Sequence, residues 1–161
     1  MKQGRGRPQQ KMRPKQASLD LSFLRKGYYD EHNNLRPEIL DEKARELAKH
    51  FGPRGGFDKV SSSQMRRFFG DVRELEEALE QKEVTFDSAN EEELLGHLAM
   101  IKLLKSKLAY AKGRGNISAA FAKTLTEAID QIKTPRDFRA FVLFFESIMG
   151  FYYGEGGGRI R

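Results

Sequence analysis

A run of cations around one tyrosine carries the clearest chemical signal in this sequence. Between Leu94 and Thr126 there is no Asp or Glu, whereas six basic residues occur: Lys102, Lys105, Lys107, Lys112, Arg114 and Lys123. Cations without competing carboxylates suit a phosphate backbone, and a nearby ring such as Tyr110 can stack on an unpaired base. A plainer interpretation is that lysines near a helix C-terminus complement the helix dipole and solvate one face.

The stretch that precedes these cations has the opposite charge. Residues 71–93 contain ten acidic and two basic residues, so a net charge of −8 adjoins a net charge of +6 over residues 94–126. Charge sorted in this way predicts one surface that holds an anion and another that repels it.

For Tyr110, packing in the hydrophobic core is the alternative to stacking on a base, and the sequence slightly favours core packing.

A second basic group precedes the acidic stretch and consists of Arg66, Arg67 and Arg73. Arg66 and Arg73 are seven residues apart, so they share an exposed face of the predicted helix. A solvated helix face explains this group equally well. The neighbouring glutamates can also neutralise Arg73; they are Glu74, Glu76 and Glu77.

The N-terminal tail is basic as well. Residues 1–17 hold six basic residues and no acidic one, which equals the net charge of +6 of the whole chain. The tail has almost no apolar mass, so we expect residues 1–18 to be disordered. Its Arg5-Gly6-Arg7-Pro8 matches the short core of AT-hook peptides, which bind the DNA minor groove, but a nonspecific cationic arm is the favoured interpretation.

The composition excludes several classes of protein. There is no cysteine among the 161 residues, which rules out disulfides, thiolate catalysis and Cys-ligated zinc. The three histidines, His32, His50 and His97, are far apart and lack metal-ligand spacing. We therefore expect no catalytic residues, no metal and no cofactor. Neither a membrane-spanning run nor a secretory signal is present, and the expected location is cytoplasmic.

Hydrophobic periodicity predicts an all-α fold, a five-helix bundle with a disordered basic N-terminal tail. The predicted domain covers residues 19–155, and residues 156–161 form a flexible tail. Residues 19–36 are expected to be irregular with one short helical turn. The first, second and fourth predicted helices span about 37–51, 61–82 and 117–133. The third is capped near Ser88 or Asn90 and runs toward Ala111, and the fifth has Thr134 as its cap, Pro135 in its first turn and an apolar stripe that reaches Tyr152. In the last helix, Phe144 and Phe151 lie off the apolar stripe, so this helix is either central or in contact with another subunit.

Three sequence segments, taken in order along the chain, resemble segments of one known protein family. They are SSSQMRRFFGDVREL at 61–75, LLKSKLAYAKGRG at 103–115 and FRAFVLFFESIMGFYYG at 138–154. Together they resemble the small subunit of type III-A CRISPR–Cas effector complexes, the Csm family, over about residues 37–155. The KLAYAKGR centre is the most specific part of the resemblance, and the tail 1–18 lies outside it.

The resemblance implies a noncatalytic helical subunit that stacks as a filament along the crRNA–target RNA path and contacts RNA without sequence specificity. The implied partners are crRNA, target RNA, other copies of the chain, the backbone subunits and the large polymerase/cyclase-like subunit. The RNA-contacting residues carried over from the family are Arg66, Arg67, Lys105, Lys107, Tyr110 and Arg114. Charge and position add Arg73 and Lys112 to this set.

Two other functions remain open at this level. A free-standing helical DNA-binding protein would use the Arg-Gly-Arg-Pro arm. An interaction scaffold would use its charge polarity only for self-association, through Phe144, Phe151 and the acidic residues of the third helix.

Overall fold

Helices make up the secondary structure of residues 19–158, the part of the chain that the computed structural model describes. Five of them have eight residues or more: α2 (Ala44–Phe51), α3 (Ser62–Gln81), α5 (Leu98–Gly113), α6 (Ala119–Asp130) and α7 (Pro135–Gly154). Two single-turn α-helices are α1 (Ser22–Arg25) and α4 (Glu92–Leu95), and two further short turns, one π-helical (Ile39–Lys43) and one 3₁₀ (Gly56–Asp58), also form. No strand forms between residues 19 and 158, so the predicted all-α class is confirmed. The predicted tail 1–18 and residues 159–161 lie outside the described residues.

The last helix, α7, is the centre of the bundle. It begins where the sequence predicts, because the Thr134 hydroxyl accepts from the Asp137 amide while the Asp137 carboxylate accepts from the Thr134 amide. Phe144 lies off the predicted stripe yet is fully buried, with its ring 6.2 Å from that of Phe23 in an edge-to-face contact. The apolar surface on a second side of α7 is therefore covered within this chain, at least at Phe144.

The predicted third helix is two helices. Its apolar residues fit a single helix, but α4 ends at Leu95, with Gly96 as its C-cap, and α5 begins at Leu98. At the break the His97 amide donates to the Leu94 carbonyl at 2.9 Å, a short-range bond that tightens the last turn of α4. Glycine is a weak helix former, so Gly96 weakens the helix where this tighter turn interrupts it.

The predicted first helix begins with a wide turn. Residues Ile39–Lys43 form a π-helical turn that leads directly into α2. Ile39 and Ala44, five residues apart, are both fully buried, which is the spacing that a π turn brings onto one face. Leu40, next to Ile39, is only half-buried.

The segment before α2 is tied to the last two helices. Tyr28 is buried and its hydroxyl donates to the Ala128 carbonyl of α6 at 2.6 Å. The Tyr29 hydroxyl donates to the Arg136 carbonyl of α7 at 3.0 Å. The Arg36 guanidinium donates to the carbonyl oxygens of Phe23 and Gly27, each at 2.7 Å. The segment thus has the single helical turn predicted, α1, and is held by specific hydrogen bonds.

The buried phenol of Tyr28 makes stability fall at alkaline pH. Burial raises its pKa well above the usual 10.0, and the charge of Asp137 adds to the rise. The folded state keeps a proton that the unfolded chain releases, so this stabilisation is complete below the unfolded pKa and is lost as pH rises toward the folded pKa. We expect the free energy of unfolding to decrease above about pH 10.

The Tyr28→Phe variant is expected to show a flatter alkaline decline. Some decline should remain, because burial also raises the pKa of Tyr29 and Tyr152. Urea unfolding of both proteins between about pH 8 and about pH 11 measures this difference. A decline of equal steepness in the variant would contradict the assignment to Tyr28.

No helix within residues 19–158 is both long enough and apolar enough to span a bilayer.

Candidate nucleic-acid interface

A cleft of about 610 Å³ lies between α3 and α5. Its apolar lining includes Phe68, Leu108 and Phe121, which belong to the hydrophobic core. Its polar and charged lining residues are Gln64, Arg67, Asp71, Ser106, Lys107, Tyr110, Arg114 and Asn116. Four of the eight residues predicted to contact RNA are thus brought together: Arg67, Lys107, Tyr110 and Arg114.

Helical spacing explains why these side chains line one cleft. On α5, Tyr110 follows Lys107 by three positions and Arg114 follows it by seven, so all three project from one face. On α3, Arg67 follows Gln64 by three positions and Asp71 follows it by seven. The two faces oppose each other across the cleft.

The end of α5 is closed by a glycine in the left-handed region. Gly115 has a φ of +73°, which lets its amide donate to the Lys112 carbonyl and the Asn116 amide to the Ala111 carbonyl, both at 2.9 Å. This pair of bonds is the Schellman motif, which satisfies carbonyl groups at the end of the helix. Arg114 is the C-cap residue of α5, and both Arg114 and Asn116 line the cleft.

Tyr110 is exposed. Its exposed fraction is 64%, so the core packing that the sequence slightly favoured is wrong. Ring and cation lie together, with the Arg114 guanidinium carbon 5.8 Å from the ring centroid and its nitrogen 3.4 Å from the phenol oxygen. A guanidinium beside an exposed ring can bind phosphate while the ring remains able to stack on a base.

One carboxylate lies among the cations of the cleft. The Lys107 ammonium is 3.3 Å from the Asp71 carboxylate of α3. The pair is partly exposed, so it contributes little to stability, but it offsets one positive charge where an anion would bind. The charges that are sorted along the sequence are thus partly paired within the folded chain.

The other predicted cations have different surroundings. Lys105 lies 2.6 Å from the Asp130 carboxylate at the end of α6, on a different side of α5 from Lys107. Arg73 lies 2.7 Å from Glu76 and 3.7 Å from Glu146 of α7, so the expected neutralisation by a neighbouring glutamate is confirmed.

Arg66 and Lys112 are exposed and do not line the cleft. Arg66 lies close enough to Tyr152 for its charge to reduce the rise in pKa that burial causes at that phenol. Neither residue shares a helix face with the cleft cations.

Four further residues line the cleft and were not among the predicted site residues: Gln64, Asp71, Ser106 and Asn116. Gln64 and Asp71 could have been predicted from helical spacing. They lie three positions before and four positions after Arg67, and therefore on the same face of the helix.

No candidate metal site forms between residues 19 and 158. In that range no group of three or more His, Asp or Glu side chains is arranged to hold a metal ion. His50 contacts Asp58 in the connection before α3, whereas His32 is exposed and lies beside Glu31.

A smaller apolar groove adjoins the cleft. It has a volume of about 140 Å³ and is lined by Leu75 and Ala78 of α3 and by Met100 and Leu103 of α5. Met100 is 51% exposed and Leu103 is 46% exposed, so this part of α5 presents apolar surface to the outside. Surface of this kind is typical of contacts between proteins.

The model of the family described as Csm2 Type III-A matches residues 34–156. Neither the curated proteins nor the solved structures contain a match to this chain. The family match covers α2 to α7 and includes both helices that form the cleft. The family consists of noncatalytic structural subunits that assemble with other Csm subunits and crRNA. This chain therefore belongs to the Csm2 Type III-A family, the small subunits of type III-A CRISPR effector complexes.

Proposed function

We propose that this small subunit binds RNA through the sugar-phosphate backbone, in the cleft between α3 and α5. The observation that carries the proposal is the convergence of Arg67, Lys107 and Arg114 beside the exposed ring of Tyr110. Together with the Asp71 carboxylate, these three cations give the lining of the cleft a net charge of +2. Forked guanidinium groups and a mobile ammonium suit phosphate oxygens.

The contacts in this proposal are independent of base sequence. A complex guided by base pairing has to accept any target, so its protein contacts are directed to phosphate and sugar. The RNA concerned is the crRNA with its paired target RNA. The chain itself contributes positioning and electrostatics, and no cleavage chemistry.

The proposed assembly is a filament of copies of this chain beside the backbone subunits and the large polymerase/cyclase-like subunit. The apolar groove at Met100 and Leu103 supports a protein contact at this face. The exposed acidic residues of the stretch 71–93 support contact with a basic surface on an adjacent subunit. These residues are Glu74, Glu77, Glu80, Glu83, Asp87, Glu91, Glu92 and Glu93.

Filter binding of single-stranded RNA across a salt series tests the RNA-binding proposal. Three phosphate contacts at about 0.7 counterions each predict a slope of log K against log salt of about −2, and the six tail cations can steepen it to about −6. Scrambling the RNA sequence should leave the affinity unchanged. Tight binding that salt does not affect would contradict the proposal.

A variant that lacks residues 1–17 separates this proposal from the DNA-binding alternative. If the cleft binds RNA, the variant keeps its RNA binding with a slope of about −2. Loss of nearly all nucleic-acid binding from a variant that is still helical by circular dichroism would instead favour the Arg-Gly-Arg-Pro arm.

A further inference from the structure

The apolar groove between α3 and α5 is open and narrow. It is lined by Leu75, Met100 and Leu103, and the last two side chains are 51% and 46% exposed. Its volume of about 140 Å³ is several times the ~30 Å³ of one water molecule, but it is too small for a helix about 10–12 Å wide. The groove therefore suits one unbranched apolar side chain on an extended peptide.

The edge of the groove that α3 forms is acidic. Glu74 lines the groove, and Glu77 follows it by three positions along α3. Both are exposed, and neither forms an ion pair with another residue between positions 19 and 158. The lining also contains Lys107, but its ammonium lies 3.3 Å from the Asp71 carboxylate. Two carboxylates thus remain available for the cations of an incoming segment.

One short stretch of this sequence has the matching chemistry. In Lys11-Met12-Arg13-Pro14-Lys15, a single unbranched apolar side chain stands between cations. Methionine is flexible and adapts to irregular apolar sites. Pro14 disfavours a helical conformation of the residue before it, and an extended peptide suits a narrow groove. Charge and shape both favour this stretch as the occupant.

We propose that the groove binds residues 11–15 of a second copy of this chain, with the Met12 side chain among the apolar residues of the groove. The cations on either side of Met12 then pair with the carboxylates of Glu74 and Glu77. The inference rests on the proposed filament and names the contact that links one copy to the next. Residues 11–15 precede the part of the chain that the family model matches.

The tail of the same molecule starts on the wrong side of the bundle. On α7, Phe144 packs against Phe23 of α1, whereas Glu146 lies 3.7 Å from Arg73 of α3. Positions two apart on a helix point about 200° apart, so α1 and α3 lie on opposite sides of α7. Packed helix axes are about 8–10 Å apart, which separates α1 from α3 by about 16–20 Å, and a path around the outside is longer.

The reach of the tail leads to the same conclusion. Seven positions separate Met12 from Leu19, the first residue that the structure describes, and they span at most about 25 Å when fully extended. That length is too short to go around the bundle to the groove, but it is enough to reach an adjacent copy. Each copy therefore offers a tail on one side and a groove on the other. Such a head-to-tail contact adds copies in one direction and builds an open row.

Sedimentation of the full-length protein at increasing concentration tests this contact. The mean mass should rise steadily past that of a dimer, and added salt should weaken the association because it screens the charged pairs. The M12S variant changes no side chain of the described helices and should associate at least about tenfold more weakly. The M100S/L103S variant should lose as much. The matched control is L95S, because Leu95 is 60% exposed and does not line the groove.

Mixing the two defective variants tests the direction of the contact. M12S keeps an intact groove, and M100S/L103S keeps an intact tail. An equimolar mixture should therefore form a 1:1 complex and nothing larger. Circular dichroism should show that both variants are as helical as the wild type, and filter binding should show that both keep the RNA affinity of the wild type.

The outcomes separate this inference from the proposed RNA binding. If either variant associates as strongly as the wild type, or if the mixture forms no 1:1 complex, the assignment of this tail to this groove is wrong and the cleft proposal stands. A wild type that stays monomeric at every concentration would also overturn the inference, because the groove would then hold its own tail or a different protein. Loss of RNA binding by the wild type itself would instead overturn the cleft proposal.

Discussion

Replacing Phe145 with alanine is expected to lower the free energy of unfolding by about 3–5 kcal/mol. Phe145 is fully buried at the centre of α7. Its ring centroid lies 5.6 Å from those of Phe68 and Phe69 of α3, and 6.3 Å from that of Phe121 of α6. Truncation therefore leaves a cavity and removes three aromatic contacts at once, each worth about 0.5–1.5 kcal/mol beyond its buried area.

The consequence for this protein is severe because domains of this size are stable by only about 5–15 kcal/mol. Urea unfolding followed by circular dichroism measures the loss, and the F145L variant should lose roughly half as much because it keeps most of the apolar volume. The matched surface control is Tyr153→Ala on the same helix, where the side chain is 37% exposed. Equal losses from F145A and Y153A would show that the aromatic centre does not hold the bundle together.

Removing the three cations of the cleft is the second large effect. The R67A/K107A/R114A variant is expected to bind single-stranded RNA at least about 100-fold more weakly near 0.1 M salt, because three charge-assisted contacts contribute about 1 kcal/mol or more each. Its salt slope should be smaller by about 2, the value for three lost phosphate contacts. The loss should be the same for every RNA sequence tested.

A control of equal charge comes from the predicted residues that do not line the cleft. The R66A/K105A/K112A variant also removes three cations from α3 and α5, and its affinity should change less than about threefold. Equal losses from the two triple variants would show that the RNA contact is not confined to the cleft. The D71N variant is expected to bind RNA more tightly than the wild type, because it removes the carboxylate that pairs with Lys107.

Helix ends were predictable where capping chemistry is strong. Ser61, Thr134 with Pro135, and Gly115 all mark helix ends that the structure confirms. The break after α4 was not predictable from periodicity, because Leu94 and Leu98 are four residues apart and fit one continuous helix. The π turn at Ile39–Lys43 was not predictable from periodicity either. A wide turn changes which of two adjacent residues is buried, but it leaves the amino-acid composition of the segment the same.

The candidate site was predictable as a set of residues and only in part as a geometry. Spacing alone separates Lys107, Tyr110 and Arg114 from Lys105, because residues two apart lie on different sides of a helix. Spacing cannot show that Asp71 of α3 faces Lys107, since that depends on how the two helices are aligned.

The bond between Tyr28 and Ala128 joins residues 100 positions apart, and it has a consequence for synthesis of the chain. Ribosomes add about 5–20 residues per second, so the segment that contains Tyr28 is made about 5–20 s before the helix that receives its hydroxyl. During that interval Leu21, Phe23 and Leu24, all buried in the finished fold, have no surface of α6 or α7 to cover them. The earliest apolar segment of the described chain thus docks after the latest helices have emerged.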